Sequence, residues 1–223
     1  MTGKLFLQAI LKFLTGLLLV GVLLFLPAGT FAFPQGWLLI GILFIPMFCA
    51  GIIMMCKAPS LLQKRLNAKE NENEQKAVLI FSALMFLTVF VVAGLNFRFR
   101  WIVLPMWASY VAAAVFLVGY VLYAEVMREN AYLSRTVEVQ EDQKIIDTGL
   151  YGVVRHPMYM TTLLLFLSLP FVLGSVLSFL IMLLYIPIIA LRIRNEEKIL
   201  EAGLKGYSDY KKRVKYKIIP FIW

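Results

Sequence analysis

Charge is what this 223-residue chain has least of: Asp, Glu, Lys and Arg make up 16% of it, against 61% apolar residues. A soluble domain is typically about 45–50% apolar, so a water-soluble globule is excluded. The excess falls in long runs, and a helix needs roughly 20 such residues to cross a bilayer. No two glycines are spaced G-x-G, which removes the dinucleotide fold and the phosphate-cradling loop. One histidine and two cysteines are too few for a zinc site, and nothing around His156 follows a Ser-His-Asp order. Cys49 and Cys56 stand about 10.5 Å apart along a helix, beyond the roughly 7 Å a disulfide tolerates. Buried packing is their expected role. The basic residues are interleaved with acids beside apolar runs, so nucleic-acid binding is unsupported and no metal is expected.

What is present reads as membrane helices. Four spans are predicted, at about 5–26, 36–56, 77–95 and 102–124. The first resembles a signal peptide in charge and hydrophobicity, but its apolar part is long and no small-x-small cleavage site follows. A retained first helix is expected. The loop "PAGTFAFPQG" carries no cation, whereas "KAPSLLQKRLNAKENENEQK" carries five, Lys57, Lys64, Arg65, Lys69 and Lys76. Positive charge marks the cytoplasmic side, so both termini are expected there, with Arg98 and Arg100 a minor dissent outside. Trp37, Trp101 and Trp107 sit near span ends, as an interfacial belt would place them.

Residues 125–157 are polar and 158–191 apolar throughout. As one helix the latter would run about 50 Å, too long for a bilayer of roughly 30 Å. Pro170 and Gly174 interrupt it, which predicts a hairpin: an arm 158–169, a turn in "LPFVLG", and an arm 175–191. The tail 192–223 holds nine Lys and Arg against Glu196, Glu197, Glu201 and Asp209, a formal balance of +5. Such a segment suits anionic headgroups and equally suits setting the topology. The expected fold is an all-α integral membrane protein in a single domain. Residues 1–124 form four transmembrane helices; residues 125–223 add a carboxyl-terminal helical hairpin, for five to six membrane segments in all, and a cytoplasmic helical tail.

Two polar clusters bracket the hairpin. One is "TGLYGVVRHPMY", with Gly149, Tyr151, Arg155, His156 and Tyr159; the other is "RIRNEEKIL…GYSDYKKRV", with Arg192, Glu196, Glu197, Tyr207 and Tyr210. Singly, each has a structural reading. Pro157 opens a helix where its missing N–H costs nothing, Arg155 anchors to a headgroup, and the two glutamates complement the dipole at the start of a tail helix. A hairpin that returns to its starting face brings the clusters together, and charge at membrane depth is expensive. The pairing therefore points to a polar pocket facing the cytoplasm.

The pattern G-x-Y-x-x-x-R-H-P-x-Y, then R-I-x-x-E-E-x-x-L, then G-Y-x-x-Y-x-x-x-V…I-P resembles the isoprenylcysteine carboxyl methyltransferase family and its phospholipid methyltransferase relatives over roughly 128–223. Gln143 stands where that family often has histidine, and Thr161 where it usually has glycine. The resemblance implies an S-adenosyl-L-methionine-dependent enzyme without a dinucleotide-type domain, its cofactor pocket built from the last helices and the tail. Gln143, Gly149, Leu150, Tyr151, Arg155, His156, Pro157, Tyr159, Glu197, Tyr207 and Tyr210 are the expected cofactor residues, with Arg155 and His156 on its carboxylate and aromatic faces near its sulfonium. Arg192 and Glu196 are the expected catalytic pair, the arginine orienting an acceptor carboxylate and a glutamate taking the proton of an acceptor amine. The implied partner is a membrane lipid or a hydrophobic or lipidated small acceptor, with isoprenylcysteine-like carboxyl methylation most similar and phospholipid N-methylation the alternative. Membrane sterol reductases that use NADPH carry a similar R-H-P-x-Y segment on a larger membrane body, and a non-catalytic scaffold is a further reading.

Overall fold

A computed structural model of the chain describes residues 2–66, 73–102, 104–133 and 139–223. Lys69, one of the second loop's five cations, lies outside them. The described residues are helical and contain no strand. The first two helices, α1 (Thr2–Ala28) and α2 (Pro34–Lys57), are joined through Gly29. A short α3 (Pro59–Leu66) precedes α4 (Asn73–Phe99) and α5 (Met106–Glu129). After a polar segment come α6 (Pro157–Val172), α7 (Val176–Met182), α8 (Tyr185–Gly203) and α9 (Tyr207–Arg213).

Among the described residues, five segments are long and apolar enough to span a membrane: Gly3–Ala28, Pro34–Lys57, Val78–Phe99, Met106–Glu129 and Val176–Gly203, with Pro157–Val172 a shorter apolar helix. The four expected spans are thus present, each longer than its apolar run. The fourth starts at Met106 because Pro105, in extended geometry at φ −67° and ψ 149°, sets the first turn. It continues to Glu129 along a charged turn in which Arg128 pairs with Glu125 at 2.5 Å.

Burial is inverted relative to a soluble protein. Phe6, Leu7, Leu11, Leu18 and Leu19 of α1 are exposed, as a lipid solvent permits. Cys49 and Cys56 are exposed too, which corrects the expectation of buried packing: both sit on the outward flank of α2, where an apolar thiol in lipid incurs no penalty.

The hairpin forms with two differences. Helix α6 runs through Pro170 to Val172, and Gly174, at a φ of +70°, then turns the chain while Ser175 N–H donates to the Pro170 carbonyl at 2.9 Å. The side chain of Ser175 then caps α7 by accepting from Ser178 N–H at 3.2 Å. The returning arm breaks at Leu183–Leu184, and α8 then continues unbroken to Gly203. Glu196 and Glu197 therefore lie in the second half of a 19-residue helix and not in the first turns of a separate tail helix. Arg192, Glu196 and Glu197 of α8 find partners inside the protein, so the helix continues past the end of its apolar run.

Leu24, Phe33, Leu39, Val89, Ala93, Phe116, Val172, Met182 and Ile193 form one core drawn from α1, α2, α4, α5, α6, α7 and α8 and from the α1–α2 connection. Small residues permit the close crossings, as is usual between membrane helices. At Gly94 an added Cβ would lie 2.6 Å from the Leu24 carbonyl oxygen of α1, and at Gly119 it would lie 3.1 Å from Leu165 of α6. Asn96 fastens one end of the bundle, donating to the carbonyls of Ile102 at 3.0 Å and Gly174 at 3.4 Å. The opposite end carries the start of α6 and the end of α8. Gly94→Leu is expected to force α1 from α4, costing about 1–3 kcal/mol and lowering the melting temperature of the detergent-solubilised protein. Gly21→Leu, a position with nothing within 4 Å, should leave that temperature unchanged.

Candidate active site

The polar segment is folded back on the end of α5 by a carboxylate. Glu129 accepts from Leu150 N–H at 3.3 Å and from the Thr148 hydroxyl at 3.2 Å. Gly149 makes this possible: its φ is +49°, and a Cβ there would run into the Glu129 carboxylate. A single 3₁₀ turn, Gly149–Gly152, follows and buries Tyr151.

The next residues pair with the tail. Arg155 N–H donates to the Tyr216 carbonyl at 2.9 Å and His156 N–H to that of Lys217 at 2.8 Å. The Arg155 guanidinium adds bonds from Nη1 to the carbonyls of Val214 at 2.7 Å and Lys215 at 2.8 Å, and from Nε to Glu197 Oε1 at 2.9 Å. His156 Nε2 meets that same oxygen at 3.2 Å. Lys217 Nζ stands 3.2 Å and Lys211 Nζ 4.0 Å from Glu197 Oε2. A buried carboxylate thus ties α8, the start of α6 and the tail together.

Adjacent residues on a helix point about 100° apart, so the two glutamates part company. Glu197 follows Ile193 on the buried face, and Glu196 follows Arg192 by four residues on the next. The Tyr159 hydroxyl donates to Glu196 Oε2 at 2.6 Å and receives Arg192 Nε at 2.9 Å. Behind it, Tyr185 donates to Thr162 Oγ1 at 2.9 Å, which donates to the Tyr159 carbonyl at 3.1 Å.

Gly206, at φ +87°, turns the chain into α9, where Tyr207 and Tyr210 pack with Leu204 and Val214. Tyr210 donates to the Tyr151 carbonyl at 2.8 Å, and Asn130 Nδ2 donates to the Tyr151 hydroxyl at 2.8 Å. The Tyr207 hydroxyl is buried with no partner among the described residues. Burial raises the phenols of Tyr151, Tyr207 and Tyr210 above their ordinary range, and the Glu197 and Glu196 charges add to the effect at Tyr207. All three therefore stay protonated and able to donate.

These elements enclose a cavity of about 110 Å³. Of the residues expected from sequence, Gln143, Tyr151, Arg155, His156, Pro157, Tyr159, Arg192, Glu196, Tyr207 and Tyr210 line it. Gly149 and Leu150 lie instead against Glu129, and Glu197 stands behind the wall. Asn130, Tyr132 and Lys144 also line the cavity and were not expected; they belong to no motif, and only the fold-back of the segment brings them in. An apolar groove of about 830 Å³ lies alongside, walled by Val111 of α5, Leu163 and Leu167 of α6, Ile189 of α8, and Ile218 and Trp223 of the tail. Cavity and groove share α6 and α8, with Tyr159 and Arg192 on one side and Met160 and Ile189 on the other.

The architecture resembles a solved structure of the eukaryotic intramembrane Ras methyltransferase, isoprenylcysteine carboxyl methyltransferase, with a TM-score of 0.52 over 96% of this chain and 86% of that one, at 20% identity. Residues 107–205, which carry most of the cavity wall, match the phospholipid methyltransferase family. Fold and matched segment together describe a bundle of membrane-length helices whose carboxyl-terminal half is similar to phospholipid methyltransferases. That segment is a little under half of the chain, and it contains the G-x-Y-x-x-x-R-H-P-x-Y and R-I-x-x-E-E motifs, so the resemblance of the motifs and the match of the segment fall on the same residues. A Delta(14)-sterol reductase of Mus musculus is 31% identical over 91 residues, 40% of this chain and 22% of the reductase. The match therefore covers about a fifth of that relative's length.

The two tail tyrosines are expected to respond oppositely. Tyr210→Phe removes a made bond and leaves the Tyr151 carbonyl without it, costing about 1 kcal/mol. Tyr207→Phe removes a buried hydroxyl that has no partner, so it should hold or raise the melting temperature of the ligand-free protein.

Proposed function

We propose that this chain is an S-adenosyl-L-methionine-dependent methyltransferase acting on a hydrophobic acceptor where the membrane meets the cytoplasm. The observation that carries this reading is the convergence of both motif clusters on one polar cavity beside an apolar groove. The donor set fits the cofactor: cationic side chains for its carboxylate, aromatic faces for its sulfonium, and in Tyr207 a buried donor lacking an acceptor.

When bound, the cofactor supplies an activated methyl group. The chain's own contribution is positioning, which accounts for a large part of such a barrier. Tyr151 and Tyr159 flank the polar end, Gln143 and Lys144 close it from the loop side, and Pro157 sets the angle of α6. Arg155 and Glu197 hold the wall by fixing the tail across it. Arg192, aligned through Tyr159, orients the acceptor's head, and Glu196 on the same helix face accepts a proton where the acceptor is an amine. The acceptor's apolar body lies in the groove between α5, α6 and α8, shielded from water. Cations on the second loop support a cytoplasmic orientation for this end and for both termini. A prenylcysteine carboxylate and a phospholipid amine both suit this layout.

S-adenosylhomocysteine should raise the melting temperature of the purified protein, and NADPH should not. A shift with NADPH alone would favour the reductase reading that the mouse relative raises, and a shift with neither would favour a scaffold. Arg155→Ala and Glu197→Ala should each abolish S-adenosylhomocysteine binding while far-UV circular dichroism still reports a folded helical protein. Wild-type affinity in both variants would refute the assigned wall. Incubation with labelled S-adenosylmethionine and a total lipid extract, followed by identification of the labelled product, names the acceptor.

A further inference from the structure

The cavity wall is rich in donors and short of acceptors. Arg155, Arg192 and Lys144 carry only donors, and the buried tyrosines keep their protons. Gln143 Oε1 already accepts from Gln140 N–H at 2.9 Å, and Glu196, whose Oε2 accepts from Tyr159 at 2.6 Å, is the one carboxylate in the wall. A zwitterionic ligand needs acceptors as well, for its protonated nitrogen.

His156 supplies one because of Glu197. Carboxylate oxygens only accept, and Glu197 Oε1 accepts from Arg155 Nε, so a hydrogen on His156 Nε2 makes the 3.2 Å contact a bond. With one hydrogen placed on Nε2, Nδ1 keeps its lone pair. No described side chain or backbone group donates to it, and His156 belongs to the cavity wall. A second group that fixes the tautomer of a functional imidazole through its far nitrogen is a recurring device.

We infer that Glu197 locks His156 as the Nε2–H tautomer and so presents Nδ1 to the cavity as the acceptor for a protonated ligand nitrogen. This rests on the proposed function for the ligand's identity, while the lock itself belongs to the ligand-free protein. Glu197 is then a positioning residue that acts through His156. The nitrogen comes from one of two sources, the ammonium of the cofactor's amino-acid end or the amine of a lipid headgroup.

The chain has a single histidine, so protein labelled with ¹⁵N-histidine gives ring signals that need no assignment between residues. At neutral pH the ligand-free protein should show a protonated-type Nε2 and an unprotonated-type Nδ1. S-adenosylhomocysteine should move the Nδ1 signal toward the protonated type if the cofactor is the source. Movement only after a short-chain phosphatidylethanolamine joins S-adenosylhomocysteine assigns the amine of the lipid headgroup as the source. In Glu197→Gln the lock should be lost and a mixture of tautomers appear, with helical content retained. An Nδ1–H tautomer, or two protonated nitrogens, in the ligand-free wild type would overturn the lock. An unmoved Nδ1 signal with both ligands, where S-adenosylhomocysteine still raises the melting temperature, would overturn the acceptor role. If that temperature does not rise at all, the proposed function fails, and the ligand-free tautomer still decides the lock.

Discussion

The polar end of this bundle hangs on the Glu197 carboxylate. Removing such a group from water costs several kcal/mol, and here the loss is offset by Arg155, His156 and Lys217 arriving from three directions. Each partner does a second task. Arg155 holds the carbonyls of Val214 and Lys215, His156 opens α6 beside Pro157, and Lys217 lies 5.3 Å from the centre of the Trp223 ring. The start of one helix, the end of another and the tail thereby acquire fixed relative positions. The cavity is the space they leave between Tyr159, Arg192 and the folded-back loop.

Around that end the rest of the molecule obeys the solvent in which it sits. Lipid-facing leucines and phenylalanines need no burial, so helix association falls to close backbone approach, as at Gly94 and Gly119, and to a few interior polar bonds such as those of Asn96. Ser178 donates to the Val89 carbonyl at 2.9 Å and Tyr120 to that of Leu43 at 2.9 Å, each joining two helices.

The spans were legible because an apolar run of bilayer length admits few other structures, and the meeting of the two motifs was legible because a hairpin must return. The parting of Glu196 and Glu197 was not, since it depends on the rotation of α8, which packing of Ile193 and Ile189 decides. The length of α8 was misjudged for a related reason: charge in the sequence marks where lipid ends, not where a helix ends. Glu129 and Asn130 carried no signal, because their partners lie some twenty residues away across a loop. The exposure of Cys49 and Cys56 is not legible either, because burial rules drawn from water-soluble cores do not carry over to a helix face in lipid.

The short tail turn after α9 has two chemically different sides. The N–H groups of Lys217, Ile218 and Ile219 all donate to the Trp223 main-chain oxygen at 2.9 to 3.0 Å, which closes residues 217–223 into a compact unit. Its charged side sits on Glu197, and its apolar side, Ile218 with Trp223, walls the groove. One short amphipathic turn is thereby the common wall of two compartments of opposite character, and a change on either of its faces is felt on the other.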